Sequence, residues 1–238
     1  MKQICIIKTG STFGATRSAH NDFEDWIIDK LEMPQSKAFT VDVQAGDALP
    51  EPDRCDGVIV TGSHAMVTDE EAWSRQTATW LSDVVERGIP LLAICYGHQL
   101  LAKALGGVSG YHPDGMEIGT VDINLTDSAS DDLLFSDLPK RFKAHTIHSQ
   151  TVIKLPDGAV RLAYNSHDKN HAFRVGKNAW GVQFHPEFDK AIMDSYIEEV
   201  AKSGRFGAAR KAELLRETQE TVEATSILKK FEKIVCKG

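Results

Sequence analysis

Cys95 stands where an apolar run meets a helical stretch. Pro90-Leu91-Leu92-Ala93-Ile94 reads as a buried strand, Gly97 follows two residues after the thiol, and Leu100, Leu101 and Leu105 recur at helical spacing before Gly106-Gly107. A strand that turns sharply into a helix is the layout in which hydrolases expose a nucleophile, here a cysteine in the place of serine. Small residues at Ala93 and Gly97 leave room for the turn beneath the sulfur. At the start of a helix, unpaired N–H groups and the helix dipole favour a thiolate. The N–H of Tyr96 is then available to a developing oxyanion.

A thiol nucleophile needs a base, and the candidate lies in Trp180-Gly181-Val182-Gln183-Phe184-His185-Pro186-Glu187-Phe188. Strand alternation predicts Trp180, Val182 and Phe184 on one side and Gln183, His185 and Glu187 on the other. Glu187 would then hold the imidazole by one nitrogen and leave the other for the thiol. Pro186 removes a ladder donor and marks the strand's end. A second oxyanion donor is expected at Gly62, where Val58-Ile59-Val60-Thr61-Gly62 breaks a buried strand at its carboxyl end.

Such groups need a scaffold that gathers strand ends. Apolar runs at Ile4 to Ile7, Gly57 to Val60 and Leu91 to Ile94 alternate with helical-period stretches, which predicts an α/β fold around a buried parallel sheet. Open sheets of this kind bind ligands at the carboxyl ends of their strands. Phe23, Trp26, Ile27 and Leu31 predict a helix that Pro34 ends, and Thr68-Asp69-Glu70-Glu71 reads as a capping box for a helix that Gly88 closes. Beyond residue 110 the apolar period becomes two, at Val121, Ile123 and Leu125, at Val160, Leu162 and Tyr164, and at Trp180, Val182 and Phe184. His167-Asp168-Lys169-Asn170 reads as a hairpin tip. From Phe206 to Ile234, Leu214, Leu215, Thr218, Val222, Ile227, Leu228 and Phe231 predict one or two helices packed on the same domain rather than a partner-binding helix.

Composition bounds the alternatives. With 238 residues, 42% hydrophobic and 26% charged, the chain is an ordinary globular one, long enough for a substantial core. Lys plus Arg number 27 against 34 Asp plus Glu, a formal charge of −7, so no basic footprint for nucleic acid exists. Four cysteines are too few for a disulfide scaffold, no run approaches a membrane span, and Met1-Lys2-Gln3 followed by Ile4 to Ile7 is too short for a signal segment. The expected location is a reducing cytosol.

Ala93-Ile94-Cys95-Tyr96-Gly97-His98-Gln99 together with Val182-Gln183-Phe184-His185-Pro186-Glu187 resembles class I (triad) glutamine amidotransferases, in their GMP-synthase-like, free-standing form. The resemblance implies a flavodoxin-like fold: an open, mostly parallel sheet flanked by helices, with additional antiparallel strands. It covers residues 1–204 as the amidotransferase domain, with 205–238 as a C-terminal helical extension packed on it. It implies Cys95 as nucleophile, His185 as base and Glu187 as orienting acid, splitting glutamine into glutamate and ammonia without a cofactor. It also implies Gly62 and Tyr96 as oxyanion donors, Gln99 as a substrate-binding residue, and His148, Ser149 and Gln150 as the segment that holds the substrate's α-amino and carboxylate groups. Ser149 and Gln150 stand where the family often has glycine and an acid, and Ala93 where glycine is usual.

The sequence holds no Walker loop and no SGGxDS-type pyrophosphatase loop, so a separate synthetase is expected to take the ammonia, or the chemistry ends with hydrolysis. Two other readings stay open: a γ-glutamyl peptidase using the same triad, and a non-catalytic domain that binds a ligand or partner. Gly10-Ser11-Thr12-Phe13-Gly14 lacks phosphate-loop spacing and reads as a plain loop. His145 with His148 face opposite sides of a strand, and His167 with His171 lack a cysteine or carboxylate set, so no metal site is expected. The other histidines, and Cys5, Cys55 and Cys236, read as surface or packing residues. Asn124-Leu125-Thr126 matches a glycosylation sequon by accident.

Overall fold

Strands that are apolar on both faces require helices on both faces, and the computed structural model, which describes residues 2–32, 34 and 37–237, has this arrangement. The strands are β1 (Ile4–Lys8), β2 (Ala38–Asp42), β3 (Gly57–Val60), β4 (Leu91–Ile94), β5 (Val108–Tyr111), β6 (Glu117–Leu125), β7 (Arg141–His148), β8 (Gln150–Lys154), β9 (Val160–Tyr164), β10 (Ala172–Val175) and β11 (Ala179–Val182). The helices are α1 (Gly14–His20), α2 (Phe23–Lys30), α3 (Ala72–Glu86), α4 (Tyr96–Ala104), α5 (Lys190–Lys202), α6 (Ala208–Glu217) and α7 (Val222–Lys237).

Among the described residues, nine strands form one sheet in the order β2-β1-β3-β4-β11-β10-β9-β6-β7, and β5 pairs with β8 in a separate ribbon. The pairs from β2 to β11 are parallel and those from β11 to β7 antiparallel. The parallel half is the buried sheet that the alternating runs predict, and the whole is the open sheet with flanking helices and additional antiparallel strands that the resemblance implies. The tip at 167–170 joins β9 to its antiparallel neighbour β10, as the turn residues suggest. No helix is long and apolar enough to cross a membrane among the described residues.

Strand alternation divides the core. Ile4, Ile6, Ile59, Leu92, Ile94, Trp180 and Val182 face one side and pack with Ile27 of α2 and with Ile227, Leu228, Phe231 and Val235 of α7. Cys5, Ile7, Val58, Val60, Leu91 and Ala93 face the other and pack with Trp80, Leu81 and Val84 of α3 and Leu100 and Leu101 of α4. The C-terminal helix α7 is therefore part of one covering layer. Val235 lies so close to β3 that a Cβ on Gly57 would meet its Cγ2 at 2.4 Å. Met1 and Gly238, the outer ends of the two expected segments, lie outside the described residues.

Three local expectations need correction. Thr68 and Asp69 lie in a 3₁₀ turn, Val67–Asp69, and α3 starts after Glu71 without a side-chain cap. The Thr68 hydroxyl accepts instead from Gln150 Nε2 at 2.6 Å. The capping box belongs to α2: Asp22 accepts from the Phe23 N–H, and Asp25 accepts from the Asp22 N–H at 3.2 Å. That helix ends at Lys30, before Pro34. The last strand stops at Val182, so Phe184, His185 and Glu187 lie beyond it.

Candidate active site

β4 lies between β3 and β11, with Val60 opposite Ala93 and Ile94 opposite Val182. Their carboxyl ends are therefore level, and Thr61-Gly62, Cys95 and the 183–187 turn leave the sheet side by side. The ladder extends one residue further, with the Cys95 N–H donating to the Val182 carbonyl at 2.8 Å.

Cys95 has φ 50° and ψ −100°, a conformation an L-residue holds only where surrounding structure enforces it, at a cost of about 1–3 kcal/mol. What enforces it is the passage from β4 to α4 without a loop. Gly97 fits because a Cβ there would stand 2.9 Å from Val60 Cβ and 3.0 Å from its carbonyl. The Cys95 side chain is buried to 6% exposure, with Sγ 3.6 Å from the Ile147 carbonyl.

His185 and Glu187 meet through a turn. The His185 N–H donates to the His145 carbonyl at 2.9 Å, Pro186 and Glu187 reverse the chain, and Glu187 Oε1 comes to 2.8 Å from His185 Nδ1. The expected neighbours are thus brought together, by turn geometry instead of strand alternation. Both are buried, and His185 Nε2 has no hydrogen-bond partner. Phe188 stacks on the imidazole at 4.1 Å, and Phe23 lies nearly parallel to it at 6.2 Å. Burial opposes a charge on the ring, but the charges of Glu187 and Cys95 outweigh it and push His185 up to about 10.

Gly62 adjoins both groups: a Cβ there would lie 2.9 Å from His185 Cε1 and 3.7 Å from Cys95 Cβ. The peptide that carries its N–H is fixed because the Thr9 hydroxyl donates to the Thr61 carbonyl at 3.0 Å. Tyr96 opens α4 directly after the thiol, as the elbow layout requires.

A cavity of about 240 Å³ opens over Cys95 and is lined by Tyr96, Gln99, His148, Ser149, Gln150 and His185. All the expected substrate-binding residues therefore line one cavity. Gln99 Nε2 donates to the Gln150 carbonyl at 2.7 Å and to Gln183 Oε1 at 3.0 Å, which locks the helix to the 148–150 segment. His148 Nδ1 lies 2.9 Å from that same carbonyl.

The other lining residues were not visible in the sequence. Phe13, His64, Met116, Tyr196 and Arg205 come from five separate segments. Tyr196 accepts from Thr12 Oγ1 at 2.8 Å, and its ring packs on Phe188 behind His185. Burial and the nearby charge of His185 both push His64 down, so a neutral ring faces this side. No local pattern marks them, because only the tertiary fold assembles them.

The histidine reading also needs correction. His98, His145, His148 and His171 are buried, and His171 has a carboxylate beside it: Glu117 Oε2 lies 2.9 Å from His171 Nε2 and 3.0 Å from His148 Nε2. Glu117 reaches them across the sheet, as the partner of His148 in the β6–β7 register. Local spacing around His167 and His171 gave no sign of a residue so far upstream.

Residues 20–201 match the family model of class-I glutamine amidotransferases. GMP synthase [glutamine-hydrolyzing] of Aeropyrum pernix is 31% identical over 183 residues, 75% of this chain, and the chain spans 33% of that relative's length. Gamma-glutamyl peptidase 5 of Arabidopsis thaliana is 29% identical over 195 residues, covering 80% of this chain and 70% of the relative. A glutamine amidotransferase from Thermotoga maritima shares the fold over the whole of both chains, with a TM-score of 0.77 at 20% identity. By the extent of that family match, the chain belongs to the class-I glutamine amidotransferase family.

Proposed function

We propose that the protein hydrolyses the side-chain amide of glutamine through a γ-glutamyl thioester on Cys95. The observation that carries the reading is the strained Cys95 at the start of α4, flanked by Gly62 and by a His185 paired to Glu187. The Cys95 sulfur, its proton passed to His185, attacks the carbonyl carbon of the side-chain amide, Cδ. The carbonyl oxygen takes the developing charge against the N–H groups of Gly62 and Tyr96. The C–N bond breaks as the imidazolium protonates the leaving nitrogen, and ammonia departs. Water then gives a proton to His185 and its oxygen to the acyl carbon, and the C–S bond breaks to release glutamate. Glu187 orients the ring throughout and keeps its own charge.

A synthetase that takes up the ammonia fits this reading, because the GMP synthase relative, of which this chain spans 33%, is named as glutamine-hydrolyzing. A second reading, hydrolysis of γ-glutamyl peptides, is supported by the peptidase relative, which matches over more of both chains. A ligand-binding domain without turnover would have no need of a strained thiol beside a paired imidazole. The test is a panel of glutamine and γ-glutamyl dipeptides, scored for ammonia or amino-acid release by the wild type and Cys95→Ala. Turnover lost in Cys95→Ala supports the mechanism. Fast peptide cleavage with negligible glutamine hydrolysis would replace the first reading by the second, and no turnover of either would remove both.

A further inference from the structure

We propose that Glu117, His148 and His171 form a binding site for a divalent transition metal ion of the zinc type, behind the cavity wall that carries His148. This site does not depend on the reading of Cys95. Three strands supply it: Glu117 opens β6, His148 ends β7 opposite it, and His171 immediately precedes β10. Both imidazole Nε2 atoms converge on one oxygen, Glu117 Oε2, at 3.0 and 2.9 Å, and the three atoms lie within 4.8 Å of one another.

The hydrogen bonds around the cluster set its polarity. His148 Nδ1 faces the Gln150 carbonyl, a contact that only a donating N–H satisfies. With Nδ1 engaged in that way, Nε2 is the nitrogen that faces the carboxylate and is placed to bind a cation. The carboxylate is fixed in turn by Asn165 Nδ2, which donates to Oε1 at 2.7 Å. A ring tied through its other nitrogen to a carbonyl, and a carboxylate tied through its other oxygen, are the outer contacts that orient metal ligands.

Charge balance favours a divalent ion over a proton. Asp168 is buried beside the cluster, and among the described residues neither it nor Glu117 is paired with Lys or Arg. The partners of these two buried acids are imidazoles, Asn165, Thr151 and the Asn170 N–H, none of which carries a fixed positive charge. The mixed nitrogen and oxygen set suits zinc, whereas calcium and magnesium prefer oxygen alone.

The experiment titrates Co²⁺, a spectroscopic stand-in for zinc, into the Cys95→Ala protein so that the active-site thiol cannot contribute. The expected result is one equivalent bound, with the visible absorption of low-coordinate cobalt, no thiolate charge-transfer band, and displacement by Zn²⁺. Glu117→Gln and His171→Gln should each weaken binding by at least about tenfold, the size of loss that even outer contacts produce. His112→Asn, outside the ligand set, should leave it unchanged. Absence of a stoichiometric site, or equal binding in both ligand variants, overturns the proposal, as does loss of binding in His112→Asn. Should a ligand variant not fold, Asn165→Ala supplies the same comparison: weakened binding supports the site and unchanged binding overturns it.

Discussion

His185 Nδ1 lies 2.8 Å from Glu187 Oε1, with both side chains buried, and this pairing is the main influence that offsets the cost of burying a charged ring and raises His185 to about 10. The sign of its effect on stability follows. In the unfolded chain the ring titrates near ~6.5, so its contribution is full below that pH and is lost as pH rises through about 10. The melting temperature of the wild type should therefore fall across this window. Glu187→Gln should flatten that fall and move the alkaline limb of kcat/KM to lower pH, because the imidazolium that protonates the leaving nitrogen is lost earlier. Identical alkaline limbs in the two proteins would show that Glu187 does not set the charge of His185.

Gly62→Ala should damage turnover far more than folding. The added Cβ would stand 2.9 Å from His185 Cε1 and 3.4 Å from Phe23 Cε1, so the imidazole must shift away from the thiol. Displacing an oxyanion donor costs on the order of 10²–10³ in kcat, and a similar loss is expected here. Steady-state rates alongside a circular dichroism spectrum provide the check. An unchanged kcat would remove Gly62 from the site.

Labelling should separate the four cysteines. Cys236 is exposed, whereas Cys5, Cys55 and Cys95 are buried, so a small unselective thiol reagent should find Cys236 readily. A chloroketone analogue of glutamine should modify Cys95 alone, since only that thiol opens onto the cavity carrying Gln99, His148 and Gln150. Peptide mapping after inactivation decides the point. Loss of activity with label on Cys5 or Cys55 would contradict the assignment of the nucleophile.

The reach of sequence reading follows from how each part is held. The Cys95 elbow is local, because a buried strand, a small residue and a helix start are all encoded within a dozen residues. The pairing of His185 with Glu187 was also legible, though for the wrong reason, since the turn at Pro186 makes it and the strand has already ended at Val182. Strand β2 was missed because its residues are mostly half-buried and show neither a solid apolar run nor clean alternation. Glu117 next to His148 and His171 was invisible because sheet register, a long-range property, places it there. Thr68 misled for a related reason: its hydroxyl serves Gln150 across the fold instead of the helix that follows it.

The helix α7 lies beyond the matched residues 20–201, and its contacts predict that the fold requires it. Ile227, Leu228, Phe231 and Val235 are almost fully buried, with Phe231 edge-on to Trp180 at 6.4 Å. Glu232 also accepts from the Glu32 N–H at 2.6 Å, tying α7 to the end of α2. Phe231→Ala should cost about 3–5 kcal/mol, a fall of roughly 6–20 °C in Tm for a domain of this size. Gly57→Ala should destabilise from the opposite direction, by overpacking against Val235, at about 1–3 kcal/mol. Removing residues 222–238 would uncover Ile4, Ile59 and Trp180 on the sheet face and should give an aggregating chain. Thermal melts of the two point variants, read with the solubility of the truncation, are the measurement. Melting temperatures within a degree of wild type would mean that α7 is an appendage and that the sheet is stable without it.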